Sequence, residues 1–107
     1  MGNKAGYILV YTTVAKRSDA EKIAEFLDGK KLSACTQIVG PITSVCRWRG
    51  KLEKSKEWLC GIKTKIALYK NVEKVLKAIH PYELPEIVAI PIIKGSREYL
   101  EWMEGEI

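Results

Sequence analysis

The only histidine of the chain lies in a short segment, His80–Glu86, that also contains two carboxylates, one tyrosine and two prolines. Pro81 cannot continue a helix, and it favours an extended backbone at His80. The imidazole is therefore predicted to lie at a corner between a helix and a strand. Because histidine titrates near neutral pH, His80 with a flanking carboxylate is the best candidate for an acid–base pair. A proline-framed corner is equally typical of pure scaffolding.

Other catalytic patterns are missing from the sequence. It contains neither a Ser-His-Asp or Cys-His nucleophile pattern nor a glycine-rich phosphate loop. Its three cysteines, Cys35, Cys46 and Cys60, are widely spaced and odd in number, which favours reduced thiols over a disulfide framework or a zinc site. We therefore expect a cytoplasmic protein without an essential disulfide, although Cys46 and Cys60 would lie close together if a hairpin turned near Glu53.

The elements that must position these residues alternate along the chain. Apolar and β-branched patterns predict four strands, over residues 7–12, over 32–39 with an extended continuation at 42–52 after Gly40-Pro41, over 56–64 and over 86–93. A capping box at Ser18 and Glu21 predicts a helix that ends near Gly29, a stripe over 65–80 predicts a second helix, and Ser96 caps a short third one. The order is βαββαβ plus a C-terminal helix, an α+β ferredoxin-like split βαβ fold. We expect one domain over residues 1–107, with 1–6 as a flexible terminus.

Charge and composition exclude several classes of partner. The 18 basic and 13 acidic residues give a net charge of +5, which admits an anionic ligand without requiring one. RNA-recognition domains share the strand order, but their aromatic stacking positions have no counterpart here, so we expect no nucleic-acid partner. No apolar stretch reaches the length of a membrane-spanning helix and no signal-peptide pattern is present, so we expect no membrane association.

The two predicted central strands are unusually long. Residues 42–52 and 56–64 each run to roughly twice the usual strand length of about five or six residues. A hairpin of this length should project from the domain, and it carries Trp48 and Trp58, whose exposure to water is unfavourable. Projecting strand edges also pair readily with other chains. The hairpin therefore predicts a subunit interface.

Several short motifs together carry a family resemblance. They are Ala34-Cys35 with Gln37, Thr43-Ser44, Trp48-Arg49-Gly50-Lys51, Glu57, Lys63-Thr64, the His80–Glu86 segment and Tyr99-Leu100-Glu101-Trp102. In this order the chain resembles the CutA divalent-cation-tolerance proteins over about residues 7 to 103. The resemblance implies a homotrimer whose long hairpins extend sheets between neighbours, and a non-catalytic binding or regulatory role in tolerance to copper and other divalent ions. The alternative is an enzyme that uses an inter-subunit cleft, with His80 as general base.

The resemblance also implies a ligand cleft between subunits. Its polar and aromatic set is Gln37, Trp48, Glu57, Lys63, Tyr82 and Glu86. Glu57 and Lys63 share parity on one strand and so face the same side. The pair is compatible with a site for a small anion or other small molecule, and equally with a structural ion pair. The family usually has asparagine at position 37, and aromatic residues at positions 46 and 47, where this chain has Gln37, Cys46 and Arg47.

A divalent cation such as copper is the one cofactor that the resemblance suggests. The copper ligands proposed for some bacterial members are a cysteine at the end of the first strand and two adjacent histidines before the proline. Tyr11 and Ile79 occupy two of these positions, and only His80 matches. Because copper and zinc usually take three or four N, S or O ligands, His80 alone predicts weak metal binding unless trimer symmetry brings copies together.

Overall fold

The computed structural model describes residues 6–107 as a four-stranded antiparallel sheet with three α-helices. The elements are β1 (Tyr7–Val14), α1 (Arg17–Gly29), β2 (Cys35–Trp48), β3 (Lys51–Lys65), a 3₁₀ turn (Ile66–Leu68), α2 (Tyr69–Ile79), β4 (Val88–Ile92) and α3 (Arg97–Glu106). The strand order is β2-β3-β1-β4. This arrangement confirms the predicted ferredoxin-like fold. The flexible terminus predicted at 1–6 falls largely on residues outside the described range, and the carbonyl of Gly6 accepts a hydrogen bond from the Ile66 N–H at 3.0 Å.

The hydrophobic core lies between the sheet and the helices α1 and α2. Alternate residues of a strand point to the same side, and the even-numbered residues of β1 and β3 form the inner face toward the helices. The fully or almost fully buried core side chains are Val10, Val14, Cys60 and Ile62 from the sheet, Ile23 and Leu27 from α1, and Val72 and Leu76 from α2. Within residues 6–107, no helix combines the length and apolar character needed to cross a membrane.

The helix starts test two capping predictions. The predicted box at Ser18 and Glu21 is wrong, because α1 begins at Arg17 and its N-cap residue, Lys16, makes no side-chain capping bond. Ser18 thus lies inside the first turn. The predicted cap of the terminal helix is confirmed, since the Oγ of Ser96 accepts a hydrogen bond from the Tyr99 N–H at 3.2 Å.

The hairpin turn lies closer to the N-terminus than the predicted position at 53–55. Arg49 and Gly50 form it with φ angles of 52° and 80°. Positive φ at both central residues is the geometry of the two-residue turn that matches the twist of paired strands. The Arg47 guanidinium donates to the Gly50 carbonyl at 3.2 Å and supports the turn. β3 is therefore one continuous strand from Lys51, and the predicted interruption is wrong.

The strand register follows from this turn. β2 is also continuous through positions 40 and 41, with an irregularity between Val39 and Ile42. Cys46 pairs with Glu53, whereas Cys60 pairs with Ile38 near the base of the hairpin. The suggested closeness of Cys46 and Cys60 is thus wrong, and all three cysteines are free thiols.

The two hairpin tryptophans have different surroundings. Trp58 packs against the core cluster, and the Arg17 guanidinium lies 5.4 Å from its ring centroid. A Cβ on Gly40 would lie 2.5 Å from Trp58 Cε3, so glycine is required for this close approach. Trp48, near the hairpin tip, is 41% exposed. Only Trp48 therefore fits the prediction of an unburied tryptophan on a projecting arm.

The outer sheet face, opposite α1 and α2, is only partly covered. Helix α3 contacts one end of it, where Met103 is buried and the Lys63 ammonium donates to the Tyr99 hydroxyl at 3.1 Å. Further along this face, Val39, Val88 and Ile90 are 53%, 46% and 45% exposed. Within residues 6–107, no strand pairs with the free edge of β2.

Candidate functional site

A cleft of about 400 Å³ lies between the outer side of the β2–β3 hairpin and the segment that follows α2. We call it the hairpin cleft. Its lining residues are Thr13 from β1, Ser44, Cys46, Trp48, Glu53, Ser55 and Glu57 from the hairpin, and Tyr82, Glu83, Leu84 and Glu86 from the segment. The hairpin residues alternate along their strands, because only every second side chain points to this side. Pro81 and Pro85 restrict the backbone of the segment that closes the cleft.

Four of the six predicted cleft residues meet in this cavity, namely Trp48, Glu57, Tyr82 and Glu86. Gln37 and Lys63 do not line it. Lys63 is six residues from Glu57 along β3, about 20 Å at the rise of an extended strand. Glu57 and Lys63 do face the same side of the sheet, as predicted, but the distance between them is too large for an ion pair within one chain. Lys63 instead contacts Tyr99, and Gln37 pairs with Gly61 on the outer face.

Glu57 and Tyr82 form the polar centre of the cleft. The Tyr82 hydroxyl donates to Glu57 Oε2 at 2.7 Å, and Glu57 is only 8% exposed. Burial raises the pKa of Tyr82, and the hydrogen bond to Glu57 raises it further, so the hydroxyl stays a neutral donor. In the part of the chain that the structure describes, no lysine or arginine forms an ion pair with Glu57.

His80 lies beside the cleft and is 9% exposed. Its Nδ1 accepts a hydrogen bond from the Tyr82 N–H at 3.0 Å, so its Nε2 carries the proton and donates to the Thr13 carbonyl, also at 3.0 Å. Burial lowers the pKa of His80, although the Thr13 carbonyl and the charges of Asp19 and Glu57 oppose that shift. The neutral ring thus uses both nitrogens to join β1 to the backbone of Tyr82.

These contacts bear on the predicted metal site. A metal ligand needs a free lone pair, and Nδ1 of His80 offers its lone pair to the Tyr82 N–H. Tyr11 lies within β1, opposite Val88, and Ile79 ends α2. Among the described residues, no three histidine, cysteine, aspartate or glutamate side chains are grouped to hold a metal ion. The donor set of one chain therefore does not fit a copper centre, and copper binding at His80 stays a prediction.

Sequence reasoning missed several residues of the site. Ser44, Glu53 and Ser55 line the cleft, but the misplaced turn assigned residues 53–55 to a loop. The Arg49 guanidinium was also missed: it lies 5.4 Å from the centroid of the Trp48 ring and 3.7 Å from the Glu83 carboxylate. The Arg49-Gly50 dipeptide was the available signal, because glycine favours the left-handed turn conformation.

The sequence model of the CutA1 divalent ion tolerance protein family matches residues 8–106. The chain belongs to this family. The Divalent-cation tolerance protein CutA of Thermus thermophilus is 41% identical over 95 residues, which cover 89% of this chain and 92% of that protein. The chloroplastic Protein CutA of Arabidopsis thaliana is 41% identical over 98 residues, or 92% of this chain, and this chain spans only 54% of its length.

Solved structures of the family share the fold. The crystal structure of CutA1 from Oryza sativa has a TM-score of 0.91 at 37% identity, and the match covers 95% of this chain and 94% of that chain. A structure described as the periplasmic divalent cation tolerance protein CutA from Archaeoglobus fulgidus has a TM-score of 0.90 at 38% identity, covering 94% and 97%. The family is named for divalent-ion tolerance and not for a catalysed reaction.

Proposed function

We propose that the protein is a homotrimeric, non-catalytic binding protein that acts in tolerance to divalent cations such as copper, with the hairpin cleft as its binding site. The observation that carries the proposal is the buried Glu57–Tyr82 pair at the centre of an open cleft. A binding site typically has a few fixed polar groups in a concave, partly apolar surface. Trp48 and Leu84 supply the apolar part of this lining.

The surface of one chain supports assembly with further copies. Val39, Val88 and Ile90 expose apolar area on the outer sheet face, and Val45 and Leu52 are 54% and 64% exposed on the hairpin. The free edge of β2 offers unpaired backbone groups next to them. Two further copies that cover these surfaces would each form a contact larger than the roughly 1,000 Å² expected of a biological interface. The trimer remains a proposal that also rests on the family resemblance.

The chemistry of the cleft favours a cation over the small anion that was predicted. That prediction depended on Lys63, which lies outside the cleft in one chain. Four glutamates line the cavity instead: Glu53, Glu57, Glu83 and Glu86. The free cysteines support a reducing compartment such as the cytoplasm. Relatives described as chloroplastic and as periplasmic show that location varies within the family.

The enzyme alternative has less support. A general base must present a free lone pair to its substrate, and the hydrogen bonds of His80 occupy both ring nitrogens. We therefore keep His80 as a positioning residue, which fixes Tyr82 and through it the hydroxyl that contacts Glu57. Saturable turnover that disappears in a His80→Gln variant would reverse this assignment.

The proposed function is tested by complementation. A bacterial strain made copper-sensitive by loss of its own CutA family protein is grown in rising copper concentrations with this chain or its variants. The chain should restore growth, Glu57→Gln should restore less, and Glu101→Gln should match the unmodified chain, because Glu101 is an exposed residue of α3 away from the cleft. Full rescue by Glu57→Gln, or no rescue by the folded chain, would contradict the proposal.

A further inference from the structure

A second cavity, of about 530 Å³, lies between the C-terminal end of α1 and the helix α2. We call it the lysine cavity. Its lining residues are Lys30, Leu32, Asn71, Lys74 and Val75, and no carboxylate of residues 6–107 is among them. The hairpin cleft, in contrast, is lined by four glutamates. A concave surface that carries one sign of charge attracts ions of the opposite sign, so the lysine cavity favours an anion.

The lysine cavity lies away from the surfaces that we propose to contact other copies. Those surfaces are the outer sheet face, the free edge of β2 and the hairpin arm. Helices α1 and α2 pack on the opposite, inner face of the sheet. Lys30, Asn71 and Lys74 are exposed on these helices. A trimer that forms through the outer face therefore leaves the cavity open to solvent.

Hydrogen bonds fix the wall of the cavity that carries Lys30. The N–H groups of residues 30–32 donate to carbonyls in the last turn of α1, at 2.9 to 3.3 Å. The Thr64 hydroxyl donates to the Leu32 carbonyl at 2.7 Å, which joins this wall to β3. The Lys30 ammonium lies 5.1 Å from the centroid of the Phe26 ring, a contact that limits the freedom of the lysine. A wall that is ordered before binding reduces the entropy that a ligand must offset.

The ammonium groups of the cavity lack carboxylate partners within the described part of the chain. Neither Lys30 nor Lys74 forms an ion pair there. Lys70 lies one helical turn before Lys74 on α2, and like charges at this spacing repel each other. The adjacent Glu73 is already paired with Lys77, at 3.2 Å. An anion in the cavity would therefore reduce an uncompensated repulsion.

The donors of the cavity suit a phosphate group. A lysine ammonium combines a compact positive charge with three N–H donors, and lysine is a common ligand of phosphate in proteins. The Asn71 amide adds uncharged donors to the same cavity. Leu32 and Val75 supply apolar surface, and the volume is in the range of sites for small organic molecules. The ligand class is thus a small molecule that carries phosphate.

We propose that the lysine cavity binds the phosphate group of a small soluble molecule, with Lys30 and Lys74 on the phosphate oxygens and Asn71 as a further donor. Charge-assisted hydrogen bonds from the two lysines supply most of the affinity. This site is independent of the proposed function, because it uses neither the hairpin cleft nor a divalent cation.

The test is isothermal titration calorimetry of the assembled protein with inorganic pyrophosphate, at neutral pH and low ionic strength in metal-free buffer. Saturable binding is expected, and added salt should weaken it. Lys30→Gln and Lys74→Gln should each weaken it roughly tenfold, because each removes a charged donor. Asn71→Ala should weaken it about threefold.

The matched control is Lys22→Gln. It removes the same charge from an exposed position of α1 that lines a different cavity, so the affinity should stay within about twofold. Equal weakening by Lys22→Gln and Lys74→Gln would overturn the proposal, because the attraction would then depend on net charge alone. Absence of saturable binding would overturn it too, as would undiminished binding by a variant with both Lys30→Gln and Lys74→Gln. Circular dichroism and sedimentation of the same samples verify folding and assembly.

A second arm of the experiment separates a soluble phosphate compound from other phosphate-bearing partners. Cosedimentation with phosphatidylglycerol vesicles and a gel-shift assay with a single-stranded RNA oligonucleotide are run on the same variants. Pyrophosphate binding without binding to vesicles or RNA supports the proposal. Binding to vesicles or RNA that depends on Lys74, without pyrophosphate binding, overturns it.

Discussion

The two halves of β3 have opposite environments although they form one continuous strand. Residues 51–56 are all exposed, whereas Glu57, Cys60, Gly61, Ile62 and Thr64 in the second half are buried. The second half lies between β1 and β2, but the first half pairs with β2 alone. The base of the hairpin thus belongs to the core, and among residues 6–107 the arm beyond it has no sheet neighbour on its other side.

The base of the hairpin serves the folded core, whereas the arm serves binding. The base packs apolar side chains against α1 and α2 within one chain. The arm contributes little to that core, yet it forms one wall of the hairpin cleft and carries exposed Val45 and Leu52. The arm is therefore the part of the molecule available for ligands and for other copies.

The largest expected effect separates base from arm. Ile62→Ala at the fully buried base should lower the free energy of unfolding by about 3 kcal/mol, because it leaves a cavity in a packed core. Leu52→Ala on the arm, where the side chain is 64% exposed, should change the stability of the single chain by about 0.5 kcal/mol or less. Urea denaturation at low protein concentration measures both. Equal losses would mean that the arm stabilises the fold as much as the base does.

A second prediction concerns the junction of base and arm. Gly40→Ala should destabilise by about 2 kcal/mol, because its Cβ would meet the Trp58 ring at 2.5 Å. Gly105→Ala is the matched control: it lies in α3 with nothing within 4 Å of the new Cβ, so it should be neutral or slightly stabilising. Thermal denaturation of the two variants and of the unmodified protein compares their melting temperatures. A neutral Gly40→Ala would show that Trp58 moves freely.

The third prediction concerns the polar centre of the cleft. Tyr82→Phe removes the donor to buried Glu57 and should cost about 1 to 2 kcal/mol. Tyr99→Phe removes an exposed contact with Lys63 and should cost a few tenths of a kcal/mol. Chemical denaturation of both variants measures the two losses in the free energy of unfolding. Equal losses would indicate that the Glu57 carboxylate is solvated and not held by Tyr82.

The smallest expected effect is a pH dependence. Burial lowers the pKa of His80 in the folded state, so the unfolded chain binds its proton first as the pH falls. The stability contributed by the neutral ring is complete above the unfolded pKa of about 6.5 and is lost below it, by at most about 1.4 kcal/mol per pH unit. His80 is the only histidine, so His80→Gln should remove this dependence between pH 7.5 and 5.5. An identical slope in the variant would assign the effect to other groups.

The sequence predicted the order of elements and the fold because each element carries its own periodic pattern. It failed at the hairpin turn, where polar Glu53 and Ser55 looked like a loop and the left-handed Arg49-Gly50 pair was overlooked. The contacts of His80 could not be predicted from the sequence either, since Thr13 lies 67 residues away. Only the tertiary structure brings them together.

The site shows the same limit. Strand parity correctly put Glu57 and Lys63 on one face, but parity contains no information on which end of a long strand a side chain occupies. Trp48, Glu57, Tyr82 and Glu86 are four of the six residues that were predicted as one set, and these four do meet in one cavity. Their grouping came from the family resemblance, because residues 48 and 86 meet through tertiary structure alone.

The most direct test of the proposed trimer is sedimentation equilibrium at micromolar concentration. If other copies cover the arm and the outer sheet face, the mass should be three times the 12.1 kDa of one chain, and a Val88→Asp, Ile90→Asp variant that charges this face should shift it downward. A mass of 12.1 kDa for the unmodified protein would contradict the proposed trimer, because the exposed apolar residues of the arm and the sheet would then have no partner.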